Sequence, residues 1–185
     1  MKVLHVYRTY YPDPPGGLQE AIRQIALTTS ELGVCPHIFA LSAVPRPEEI
    51  PRPEGPVTRA RSWAAPASCD LGGMDAFRMF SGLAKRADVI HYHFPWPFAD
   101  LLHMAVRPEC PAIMTYHSDI VRQRWLGRAY VPLMRRMLGT MSAIVATSPA
   151  YARTSSVLSD ASVSDRVRAI PLGINENSYP QEADD

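Results

Sequence analysis

The segment Thr115-Tyr116-His117-Ser118-Asp119 gathers hydroxyl, imidazole and carboxylate side chains directly behind the apolar run Pro111-Ala112-Ile113-Met114. Such a run reads as a buried strand of a parallel sheet. Residues just past its carboxyl end face the crevice where open α/β sheets bind ligands. His117 is therefore a candidate functional residue. Ser118 or Asp119 also suits the N-cap of a helix starting near Ile120. The two readings are compatible, since a cap shapes the loop while His117 faces the crevice.

Two further groups fall at the same kind of position. His91 and His93 stand two apart near the end of the apolar run Ala87-Asp88-Val89-Ile90-His91-Tyr92-His93, so on a strand they point to one face. A metal pair is the sharper reading, but no third ligand has matching spacing, and no metal is expected. Gly16 and Gly17 lie between a first strand and a helix. Glycines there let the backbone approach a ligand closely, and the helix N-terminus behind them favours phosphate, although a plain turn would use the same residues. Pro14 and Pro15 precede the pair and no third glycine follows, so the dinucleotide spacing G-x-G-x-x-G is absent. That speaks against a nicotinamide or flavin cofactor.

The elements that must position these residues alternate strand with helix. Strands are expected over Val3 to Tyr7, Cys35 to Ala43, Val57 to Arg61, Ala87 to His93, Pro111 to Thr115, Ser142 to Thr147 and Val167 to Ile170. Helices are expected from Gly16 to about Leu32, with Ala21, Ile25, Leu27 and Leu32 as the buried stripe, and over Met74 to Ala84, Phe98 to Val106 and Ile120 to Gly139. Gly33 suits the position after a helix end. Ser148-Pro149 starts one more helix with proline at its favoured first position. Pro45 to Pro56 carries five prolines and reads as an irregular surface loop. The alternation predicts a doubly wound parallel α/β sheet with right-handed crossovers.

Composition limits the function classes. At 185 residues the chain is long enough for one well-buried domain, and a net charge of +1 argues against a general nucleic-acid binder. Cys35, Cys69 and Cys110 are scattered without metal-like spacing and read as reduced thiols of a cytosolic protein. The N-terminal apolar run is too short for a signal peptide or a membrane span.

Taken in order, several segments resemble the N-terminal domain of a retaining glycosyltransferase of family 4, which has the GT-B architecture of two facing Rossmann-like domains. They are the strand at the N-terminus, Tyr10-Tyr11-Pro12, Gly16-Gly17-Leu18-Gln19-Glu20, and Ala87 to His93. Thr115 to Asp119, Ala146-Thr147-Ser148-Pro149 and Ile170-Pro171-Leu172-Gly173-Ile174-Asn175 complete the series. The stretch Thr115 to Arg122 looks most like bacterial transferases that build polysaccharide from GDP-linked mannose or rhamnose. The resemblance implies an acceptor-side domain over 1–175 and a crossover beginning at 176–185. The C-terminal donor domain, with its glutamate pair, is absent from this sequence.

The resemblance also implies roles. His117 would hydrogen-bond a donor hydroxyl and stabilise an oxocarbenium-like transition state, without acting as a nucleophile. Gly16 and Gly17 would face the donor diphosphate. His93, Ser118, Asp119 and Arg122 would touch the acceptor or shape the loop. No cofactor is implied beyond a nucleotide-sugar co-substrate, with GDP-linked mannose or rhamnose favoured. The expected acceptor is a glycan or lipid-linked sugar. The arginine-bearing helix at 120–139 could rest on anionic headgroups at the inner face of the membrane, or simply present a solvated outer face. A non-catalytic glycan- or lipid-acceptor-binding module is the competing class of function.

Overall fold

Alternation along Lys2–Val6, the first strand β1, sends Leu4 and Val6 to one face and His5 to the other. The same parity recurs in β2 (Cys35–Ser42), where Phe39 and Leu41 join the larger apolar cluster while Ile38 and Ala40 face the opposite side. The computed structural model describes residues 1–13, 16–66, 69–119 and 124–173, with 124–129 as backbone only. Further strands are β3 (Glu49–Ile50), β4 (Val57–Ala64), β5 (Leu71–Gly72), β6 (Val89–Phe94), β7 (Ala112–Tyr116), β8 (Ala143–Ala146) and β9 (Val167–Ala169). Among the described residues these strands form one sheet in the order β3-β4-β2-β1-β6-β7-β8-β9, with β5 paired to β4.

The strands from β4 to β9 along that path are parallel, and the short β3 and β5 join β4 antiparallel. Chain order runs outward in both directions from β1, because β2 lies on one side of it and β6 on the other. This is the doubly wound, Rossmann-like arrangement expected from the alternation. Its switch point lies between the carboxyl ends of β1 and β6, where ligands of such sheets bind.

Helices α2 (Met74–Ala84), α3 (Pro97–Val106) and α4 (Arg124–Thr140) cover one face. Phe80, Leu102, Met137 and Leu138 pack there against Leu4, Val6, Ile90, Tyr92, Phe94, Met114 and Tyr116. Helix α1 (Gly17–Glu31) covers part of the other face through Ile22, which meets Tyr7, Tyr10, Ile38, Ala40 and Val57. Each fully buried aliphatic or aromatic side chain there contributes about 1.5–3 kcal/mol. Helix α5 (Pro149–Thr154) starts as the sequence suggests, with Ser148 Oγ accepting from the Tyr151 backbone N–H at 3.0 Å and proline at its first turn.

Some boundaries differ from the sequence reading. In α1 the buried side chains are Gln19, Ile22, Gln24 and Ala26, whereas Leu32 caps the helix and is 80% exposed. The stripe is set by the residues facing β2, and Leu32 lies beyond the last turn. Gly33 follows with φ of 81°, a conformation that L side chains rarely adopt. The loop from Pro45 to Pro56 contains β3, and β5 is likewise unexpected, since two-residue strands leave no periodic signal. The expected helical start at Ile120 and the candidate Arg122 lie outside the described residues.

A candidate ligand crevice backed by four histidines

Adjacent parallel strands bring distant residues into register at the switch point. His5 on β1 stands opposite His91 on β6, and His93 stands opposite Thr115 on β7. Side chains at direct and diagonal positions on one sheet face are within reach of one another. The His91 and His93 rings stack with centroids 4.3 Å apart, and His5 lies 5.0 Å from His91 and 5.4 Å from His93. Four of the six histidines of the chain are thus gathered once His117 is added.

The backbone N–H of His117 donates to the Phe94 carbonyl at 3.1 Å, extending the β6–β7 ladder one step past β7. That bond places the His117 ring 5.5 Å from the His93 ring. His93 Nδ1 then lies 3.2 Å from His117 Nε2, and His93 Nε2 lies 3.1 Å from His5 Nδ1. The result is a hydrogen-bonded row from the buried interior to the half-buried His117. His91 is held separately, its Nε2 2.7 Å from the Thr115 hydroxyl.

Burial sets the electrostatics. His5 and His93 are each 1% exposed, so their charged forms lose hydration without an acidic partner. Desolvation lowers His5 to about 4 and His117 to about 4. It also holds His91 and His93 well below the ordinary imidazole range, helped by their histidine neighbours. All four rings are therefore neutral near pH 7, each with one N–H and one lone pair.

The other candidates take different places. Asp119 Oδ1 accepts from the Tyr116 hydroxyl at 3.1 Å and from Ser155 Oγ at 3.0 Å. It ties the loop after β7 to the segment after α5. Ser118 is exposed beside it. His93 is 1% exposed, and its ring meets those of His5, His91 and His117.

Gly16 is the extended N-cap of α1 and Gly17 its first residue; both are exposed, and a Cβ at Gly17 would meet nothing within 4 Å. Among the described residues no side chain caps this N-terminus by a hydrogen bond, but Gln19 Oε1 lies 2.7 Å from where a Cβ at Gly16 would stand. Glu20 in the first turn already supplies negative charge there, with its carboxylate bonded to Tyr11, Arg23 and Gln24. Sequence reasoning missed His5, which shares the face of His91 and His93 through strand order alone. The ground for expecting no metal, the lack of a third ligand, does not hold. His5 supplies a third nitrogen, and the ligand atoms of His5, His91 and His93 lie within 4.8 Å of one another.

A parallel sheet with a polar crevice at its switch point is the Rossmann-type ligand-binding class. The fold is that of the N-terminal half of GT-B glycosyltransferases. Sucrose-phosphate synthase from Thermosynechococcus elongatus superposes with a TM-score of 0.64 at 18% identity, over 94% of this chain and 48% of that one. Anabaena HepE, solved in complex with UDP-glucose, gives 0.62 at 15% identity, over 97% of this chain and 46% of that one.

Residues 15–178 match Glycosyltransferase Family 4, and the chain belongs to that family. It is 40% identical over 183 residues to the D-rhamnosyltransferase WbpZ of Pseudomonas aeruginosa, covering 99% of this chain and 47% of WbpZ. It is 34% identical over 183 residues to the O-antigen chain mannosyltransferase C of Escherichia coli, covering 99% of this chain and 48% of that protein. The chain spans about half the length of the curated relatives it matches.

Proposed function

We propose that the chain is the acceptor-side half of a retaining glycosyltransferase. It moves a hexose, mannose or rhamnose from a GDP-linked donor, to a polysaccharide or lipid-linked acceptor, and it is inactive without a C-terminal donor domain. The observation that carries this reading is a neutral His117 at the carboxyl edge of β7, fixed in place by its backbone bond to Phe94. Relatives named for rhamnosyl and mannosyl transfer support the choice of sugar.

In this reading, departure of the diphosphate leaves positive charge at the anomeric carbon. An imidazolium at His117 would oppose that charge, whereas a neutral ring hydrogen-bonds a donor hydroxyl without repulsion. The acceptor attacks from the face that the diphosphate leaves, and the departing phosphate takes the acceptor proton. His117 is a hydrogen-bonding catalytic residue with no covalent role. The N-terminus of α1 at Gly16 and Gly17 meets the diphosphate. Asp119 and Ser118 shape the acceptor side of the loop.

The protein works at the inner face of the membrane, with α4 against anionic headgroups. Arg135 and Arg136 on that helix are exposed, while Met134, Met137 and Leu138 face the core. No helix among the described residues is long and apolar enough to cross a membrane. Contact would therefore be peripheral.

A donor panel tests the proposal. The chain joined to its donor domain is given radiolabelled GDP-mannose, GDP-rhamnose or UDP-glucose with a lipid-extract acceptor. Transfer from a GDP-linked sugar is expected. Transfer from UDP-glucose alone would overturn the donor assignment, and stoichiometric acceptor binding with no transfer from any donor would favour a binding module.

A further inference from the structure

The row His5–His93–His117 contains two hydrogen bonds among three neutral imidazoles. A neutral imidazole has one donor and one acceptor nitrogen, so His93, bonded at both, donates one bond and accepts the other. The row consequently has one of two directions. If protons point inward, His117 Nε2–H donates to His93, His93 donates to His5, and His5 Nε2 carries a hydrogen. If they point outward, His5 Nδ1–H donates to His93 Nε2, and His93 Nδ1–H donates to His117 Nε2. The remaining proton of His117 then sits on Nδ1.

The inner end distinguishes the two. His5 Nε2 is fully buried and has no partner among the described residues. The inward direction would strand an N–H there, and among backbone groups orphaned buried N–H donors are rarer than under-satisfied carbonyl acceptors. The outward direction leaves only a bare lone pair. At the other end, His117 Nδ1 has no partner among the described residues, and the ring is half-buried. Stacking of His91 on His93, with His91 tied to Thr115, holds the middle ring in plane.

We propose that His5 and His93 are positioning residues that fix His117 as the Nδ1–H tautomer, so that it offers the crevice a hydrogen-bond donor. The inference rests on the glycosyltransferase reading for its purpose. There, Nδ1–H would donate to a sugar hydroxyl or departing phosphate oxygen without adding positive charge. A solvated histidine side chain favours the Nε2–H form, so the tautomer is a property that the row imposes. One ring nitrogen from each of His5, His91 and His93 also defines the competing use of this cluster, a cation held by the three. The hydrogen-bonded reading is favoured because His5 Nδ1 and His93 Nε2 already satisfy one another at 3.1 Å.

Imidazole nitrogen NMR of the 15N-labelled chain near neutral pH tests this without any transfer assay. Failure of the row and failure of the transferase reading are thus separately visible. The expected result is a protonated Nδ1 and bare Nε2 on His117, with the same pattern on His5 and His93. A His117 protonated at Nε2 would overturn the proposal. In His93→Phe, His117 is expected to move towards the Nε2–H form, and an unchanged Nδ1–H signature would overturn it. If that variant does not fold, the native spectrum decides alone. Zinc chloride is expected to leave the buried rings unshifted. One equivalent shifting His5, His91 and His93 together would assign the cluster to a metal instead.

Discussion

The His117 backbone N–H donates to the Phe94 carbonyl at 3.1 Å, joining the crevice histidine to the end of the neighbouring strand. The loop after β7 therefore starts in strand register, and its histidine is placed by the sheet. A second tie, Ser155 to Asp119 at 3.0 Å, closes the loop from the other side.

Acid should destabilise the fold through the buried histidines. Burial lowers His5 from its ordinary 6.5 to about 4, so between those values the unfolded chain binds more protons than the folded one. Stability is then fully present above about pH 6.5 and is lost as pH falls towards 4, with a slope approaching ~1.4 kcal/mol per pH unit for each proton taken up. His117 titrates in the same window. Urea midpoints between pH 7.5 and 4.5 check this, and a flat profile would contradict the buried neutral row.

Asp100 has the opposite sign. Burial raises its carboxyl to about 7, although the Tyr130 hydroxyl donates to it and works against the shift. Its contribution is present below about pH 3.8 and is lost as pH rises through 7. Asp100→Asn keeps the hydrogen bond to Tyr130 and removes the titration. Subtracting its urea profile from that of the native chain should leave a stability difference that shifts towards the variant as pH rises from 4 to 7.

Asp119→Ala removes the acceptor of two hydroxyl hydrogen bonds, from Tyr116 and Ser155. The expected cost is about 1–3 kcal/mol, with Asp119→Asn recovering part of it through its amide oxygen. Denaturant unfolding measures both. Equal stability of all three proteins would show that the tie carries no energy.

Arg135 and Arg136 together test the membrane reading. Each arginine near an anionic surface contributes about 1 kcal/mol. Arg135→Glu with Arg136→Glu should therefore lower co-sedimentation with phosphatidylserine vesicles at least tenfold, and added salt should weaken the native chain likewise. Arg135 also pairs with Asp160 at 3.6 Å, an exposed contact of little energetic weight. Vesicle binding unaffected by the charge reversal would remove α4 from the membrane.

Much of this architecture is legible from residue order. The parallel strands that flank the crevice are apolar runs bounded by turn residues, and His117 follows such a run directly. Ser148-Pro149 states the start of α5 in its own chemistry. The two-residue strands β3 and β5 are not legible, because they exist only where β4 offers an edge. His5 is silent for a different reason. It sits 88 residues from His93, and only the order β1-β6 makes them neighbours. A lone histidine in a first strand carries no mark of that. The depth of His93 is silent for the related reason that strand parity gives its face but not its burial.

Radiolabelled transfer from GDP-mannose and GDP-rhamnose to a lipid-extract acceptor tests the half-site account most directly. Three proteins are compared: this chain alone, the chain extended through any downstream reading frame, and that longer protein with His117→Ala. The account predicts no transfer by the short chain, transfer by the long one, and a loss of about 10²–10³-fold in kcat on removing the imidazole. Turnover by the short chain alone, or full activity without His117, would contradict it.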